Sequence, residues 1–207
     1  MAKVSKSSIP STTVRTRRAY FDCKFGQLHV RTAFPGTGGF DEQVTLFCLH
    51  PMDESSRTFG RFLADIADVR SVYAPDLPGY GESDSSPARG IADAAAAISD
   101  LAKDLRLRQI DVLGFGFGAG VALELAVARP ELVRRLVLVA APPIDALPVI
   151  RQESLVLRIK LGVGDDSQWT KAILPRAKFI DLAEYDADMF DAAPKTLAKQ
   201  IGAFLKA

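Results

Sequence analysis

What this sequence has little of narrows it before any motif is read. Its 207 residues hold two histidines, His29 and His50, two cysteines, Cys23 and Cys48, and one tryptophan, Trp169. Two thiols without CxxC spacing point to neither a zinc site nor a redox motif. Each lies in an apolar, strand-like run, where a free cysteine behaves as a small buried hydrophobe. No histidine or acid is placed to turn Cys48 into a nucleophile. No metal and no cofactor are expected. Neither sign of charge is in excess: 26 basic against 25 acidic residues leave +1. That balance argues against nucleic acid or an anionic membrane as partner. No apolar run is long enough to span a bilayer, and no apolar signal core follows the N-terminal residues. A soluble, cytoplasmic protein is the expectation.

What is present is enough for a core. Hydrophobic residues make up 48% of the chain, which excludes wholesale disorder, and the length suits one domain. The first acid is Asp22; before it come Lys3, Lys6, Arg15, Arg17 and Arg18 among many Ser and Thr. Such composition fits either a transit-like presequence or a solvated arm. Residues 1–19 are read as a flexible arm and 20–207 as a single domain.

Apolar runs alternate with helical stretches. Residues 20–34 read as a hairpin around Gly26, with turn chemistry again at PGTGG. Strands are predicted at 44–50, 71–76, 110–115, 135–141, 154–159 and 178–182. Helices are predicted at 55–68, 91–106, 117–129 (stopped by Pro130) and 194–206. Short, continuously apolar strands separated by helices imply a mostly parallel sheet buried on both faces. The prediction is a three-layer α/β/α sandwich with about eight strands. Ligands on such sheets bind beyond the carboxyl ends of the strands.

Four ordered segments carry a resemblance. They are HPMDESSRTFGRFLADI (50–66), APDLPGYGESD (74–84), GFGFGAGVALELAVARPELVRRLVLVAAP (114–142) and EYDADMFDAAPKTLAKQIGAFL (184–205). Together they resemble the α/β-hydrolase superfamily from about residue 20 to 206. The third is similar to the nucleophile elbow, a sharp strand-to-helix turn with small residues two before and two after the nucleophile. Gly114 and Gly118 are those flanking residues. Between them, where the family has Ser, Cys or Asp, stands Gly116.

The resemblance places the general base seven residues before Pro194, at Ala187. It places the acid at Gly162, or at Asp165 or Asp166 if the loop is longer. A triad works as a unit, so joint loss of nucleophile and base implies a chain without that machinery. APPIDALPVIRQE joins two strands where many relatives insert a helical cap, so a capless core is expected. An uncapped site desolvates a small substrate poorly.

The same residues admit other readings. Gly114, Gly116 and Ala119 fit G-x-G-x-x-A, but the next strand ends in Ala141 and Pro142, with no acid to hold a ribose. The resemblance puts an oxyanion donor at the Phe117 N–H, with the Met52 N–H as a second, while Pro51 supplies none. A small-molecule or anionic ligand at His50, Met52, Gly116, Phe117 and Trp169 is therefore one expectation. A protein partner or a homo-oligomer is the other. The alternative is an active esterase or thioesterase with a relocated nucleophile, Ser55, Ser56 or Ser83, acting with His50. His29 has no functional partner in sequence and reads as a surface or packing residue.

Overall fold

The structure, a computed structural model, describes residues 14–36, 43–87, 90–142, 147–159 and 167–206, the side chains of 167–169 excepted. Eight strands form one sheet: β1 (Arg15–Cys23), β2 (Gly26–Phe34), β3 (Leu46–Leu49), β4 (Val72–Pro75), β5 (Ile110–Phe115), β6 (Val133–Val139), β7 (Glu153–Ile159) and β8 (Ala177–Leu182). Their order is β1-β2-β4-β3-β5-β6-β7-β8. β1 and β2 form an antiparallel hairpin, β2 meets β4 antiparallel, and the remaining neighbours are parallel.

The two-residue period of each strand divides the core in two. Phe47, Val112, Leu136 and Leu138 face one layer, while Leu46, Cys48, Leu113, Val137 and Val139 face the other. The first layer is α2 (Ile91–Asp104) and α3 (Phe117–Ala128), through residues such as Ile98, Leu101, Val121 and Leu125. The second is α1 (Gly60–Ile66), α5 (Met189–Ala192) and α6 (Pro194–Lys206), through Phe62, Ile66, Phe190, Leu197 and Ile201. On α6, Leu197, Ile201 and Leu205 recur four residues apart, the stripe that one buried helix face needs.

Several boundaries differ from the sequence reading. β1 starts at Arg15, inside the stretch read as an arm, because residues 15–19 pair with 30–34 of β2. The predicted helix 55–68 is a 3₁₀ turn at Ser56–Phe59 followed by α1. β6 runs two residues earlier than predicted. Val133 pairs with Ile110, and the chain leaves extended geometry at Ala140, which has φ +46°. α4 (Ser167–Ile173) and α5 were not predicted. Cys48 is buried as expected, whereas Cys23, at the end of β1, is only half-buried.

Beneath the sheet ends opposite the elbow, Asp111 is fully buried. It accepts from Arg70 at 3.1 Å and from Arg134 at 2.9 and 2.7 Å. Burial pulls the Arg70 guanidinium below its ordinary range, and Asp111 offsets part of that fall. Arg134 also donates to the Leu205 carbonyl, tying α6 to this network.

Candidate functional site

β3, β4 and β5 end side by side and deliver the loops predicted to form the site. At the end of β5 the chain turns through Gly116, with φ +53° and ψ −117°, directly into α3. That conformation strains any residue bearing a Cβ. A Cβ built there would stand 3.2 Å from Pro51 Cβ, so Pro51 closes over the position. The turn is held by Gly116 N–H donating to Val139 O at 2.9 Å. Gly118 sits where α3 crosses the end of β3. A Cβ there would lie closer than 3.0 Å to the Leu49 carbonyl and 2.7 Å from His50 O. The small flanking residue is thus a packing requirement. Phe117 opens α3, so its N–H has no partner within the helix.

His50 follows β3 and is fully buried. Leu77 N–H donates to its Nε2 at 2.9 Å, and its Nδ1 lies 2.8 Å from Pro51 O. An acceptor at Nε2 and a carbonyl at Nδ1 require the neutral ring protonated on Nδ1. Burial pushes the His50 pKa down, against smaller opposing effects of Pro51 O and Asp76. Both ring nitrogens are therefore committed to backbone. Tyr80 packs edge-on against His50 with centroids 5.6 Å apart, and Phe117 lies 6.2 Å from Tyr80, so three loops meet through these rings.

A folded pKa below the ordinary 6.5 gives a definite sign. The stability His50 contributes is whole above pH 6.5 and is lost as pH falls through the depressed folded value. Urea unfolding at pH values from about 5 to 8 should show stability declining toward the acid end. In a His50→Gln variant that decline should be shallower.

Asp76, at the end of β4, is a brace whose role the sequence did not reveal, although it begins the quoted DLPGYGES segment. Its Oδ1 accepts from Ser56 N–H at 2.6 Å, and its Oδ2 from Glu82 N–H at 2.8 Å and His29 Nδ1 at 2.9 Å. Burial alone would raise its pKa, yet these bonds, Glu82 N–H foremost, hold it below 3.8. His29 is accordingly no surface residue. It is 1% exposed and anchors the β1–β2 hairpin to the site loops.

Of the three serines proposed as relocated nucleophiles, Ser55 and Ser83 have their hydroxyls engaged. Ser83 Oγ donates to Asp76 O at 2.6 Å and accepts from His29 N–H at 2.9 Å. Ser55 Oγ accepts from Arg57 N–H and caps the 3₁₀ turn. Ser56 is buried with its backbone N–H on Asp76, and its hydroxyl has no hydrogen-bond partner among the described residues. Among the described residues none of the three bonds to His50. Cys48 is buried and its thiol is pushed up in pKa by that burial, the reverse of an activated nucleophile.

Met52 is more than half exposed on the turn after Pro51. Ala187 is exposed in the loop between β8 and α5, its N–H on Asp186 Oδ1. Phe190, three residues on, packs at 6.1 Å against Phe115, the residue before the elbow. Trp169 falls in α4, with its side chain outside the described residues. Gly162, Asp165 and Asp166 lie outside the described residues altogether. Among the described residues no three His, Cys, Asp or Glu side chains are grouped to hold a metal ion, and no helix is long and apolar enough to cross a membrane.

An eight-stranded, mostly parallel sheet with a strand-to-helix elbow at its centre defines a class. The chain belongs to the alpha/beta hydrolase family, whose model matches residues 45–205. Among characterised relatives, 2-hydroxymuconate semialdehyde hydrolase of Pseudomonas putida is 38% identical over 128 residues, covering 58% of this chain and 40% of that protein. Pimeloyl-[acyl-carrier protein] methyl ester esterase of Yersinia pseudotuberculosis is 32% identical over 114 residues, 53% of this chain and 43% of the esterase. The chain spans less than half the length of these relatives. A crystal structure described as a predicted CIB-like hydrolase from Thermoplasma acidophilum superposes with a TM-score of 0.82 at 18% identity. It covers 93% of this chain and 99% of that one, and shares the fold.

Proposed function

We propose that this protein is a non-catalytic member of the family, a cytoplasmic pseudo-hydrolase that binds a small ligand or a protein partner. The observation that carries the reading is Gly116, which keeps the elbow's strained turn while offering no side chain to attack a carbonyl. The histidines support it. The chain has two, one locked by backbone on both nitrogens and the other bonded to Asp76. Alanine stands at position 187, where the family resemblance places the base. The short connection from Val139 to Glu153 favours an uncapped mouth over the strand ends. A hydrolase also needs a base within hydrogen-bond reach of its nucleophile, whereas the Ser55 and Ser83 hydroxyls have other partners and the Ser56 hydroxyl is buried with no base bonded to it among the described residues.

The test is hydrolysis of a short-chain p-nitrophenyl ester series by the purified protein. The expected rate equals that of the denatured protein and is unchanged in Ser55→Ala, Ser56→Ala and Ser83→Ala variants. A rate well above the denatured control that one of these substitutions abolishes would overturn the reading.

A further inference from the structure

We propose that the outer edge of β1, unpaired among the described residues, is a docking site for an acidic, extended segment of a partner protein, added to the sheet as a further strand. The observations are independent of the elbow. β1 stands at the end of the strand order and is nine residues long, against four in β3 and β4. A strand bonded on one side leaves a row of backbone donors and acceptors facing outward, and folded proteins usually shorten or cover such edges.

Among the described residues the arginines of this edge are largely without partners. Arg15, Arg17 and Arg18 are exposed, and Arg31 of β2 lies directly opposite Arg18. Like charges opposed across a ladder are destabilising. Among the described residues Arg15, Arg17 and Arg31 make no side-chain hydrogen bond or ion pair. Arg31 Nε is moreover buried without an acceptor. Among the described residues Arg18 pairs with Glu82 alone, at 3.7 Å, while remaining 62% exposed. On the same face as Arg18, two residues along, Tyr20 is 54% exposed. Tyrosine beside arginine is the composition of interface anchors.

These features select the occupant. Carboxylates on an added strand would neutralise the guanidiniums while its backbone satisfies the edge, the mode of strand addition. A second copy of β1 brings three arginines and one aspartate, so self-pairing adds positive charge. A nucleic acid or lipid surface would meet the arginines but leave the backbone row unsatisfied.

The test titrates the full chain into a fluorescein-labelled peptide of about ten alternating Glu and Thr residues, long enough to follow β1, and reads anisotropy. Saturable binding is expected, together with slowed hydrogen exchange confined to β1. A peptide of the same charge with several Thr replaced by Pro cannot form the ladder and should bind at least about tenfold more weakly. Arg17→Glu with Arg18→Glu should weaken the Glu–Thr peptide by a similar factor, at unchanged far-UV circular dichroism. Equal binding of the proline peptide would reduce the site to nonspecific charge attraction and overturn strand addition. Absence of saturable binding up to about 1 mM would overturn the proposal outright, whether or not the arginine variant folds.

Discussion

Gly118→Ala should cost on the order of 3 kcal/mol of stability or more. The added methyl would meet backbone: the Leu49 carbonyl closer than 3.0 Å and His50 O at 2.7 Å. Backbone at the end of a central strand has no rotamer to change, so relief requires moving α3 away from β3. In a domain of this size the melting temperature should fall by roughly 10 °C. Gly60→Ala is the matched control. Gly60 has helical dihedrals, and nothing lies within 4 Å of a Cβ built there. That substitution should raise stability by about 0.5–1 kcal/mol. Chemical denaturation of the two variants separates close packing from glycine's general effect on the unfolded chain. Similar losses in both would refute the packing account of the elbow.

Removing the Asp111 carboxylate should be as damaging for a different reason. Asp111→Asn leaves Arg70, 1% exposed, as a buried cation without its counter-charge. Breaking a buried pair from one side costs about 3–5 kcal/mol, because the surviving ion keeps its desolvation penalty. Arg134, part-exposed at the rim of the same network, recovers solvation from water and should lose less. Asp181→Asn provides the contrast. Its partner Arg158 lies at 2.5 Å, but both side chains are more than a third exposed, so that substitution should fall within about 1 kcal/mol. Denaturant midpoints for the two asparagine variants decide it. Equal effects would mean that the buried network contributes no more than a surface pair.

Much of the architecture was legible because burial leaves a local signature. The runs at 46–49, 112–115 and 155–157 are apolar on both faces, the pattern of a covered parallel sheet. The elbow was legible for the same kind of reason. Glycines two before and two after a position, between strand and helix, mark close backbone approach wherever the remaining chain goes. The 3₁₀ turn, α4 and α5 left no comparable trace. They are a turn or two long, too short for a helical period to declare itself.

The roles of the polar residues followed the opposite rule. His29 looked idle in sequence, yet it is bonded to Asp76 across 47 positions, and Asp111 takes Arg70 and Arg134 from 41 and 23 positions away. His50 was legible as a site residue but not as one committed to backbone on both nitrogens. The glycine at 116 and the alanine at 187 were set by the sequence alone, since folding cannot change which side chain a position carries. Which serines and histidines meet, which carboxylate braces three loops and which arginines go unpaired belonged to the tertiary structure. Covalent identity is local, whereas hydrogen bonding and desolvation depend on what the folded chain brings alongside.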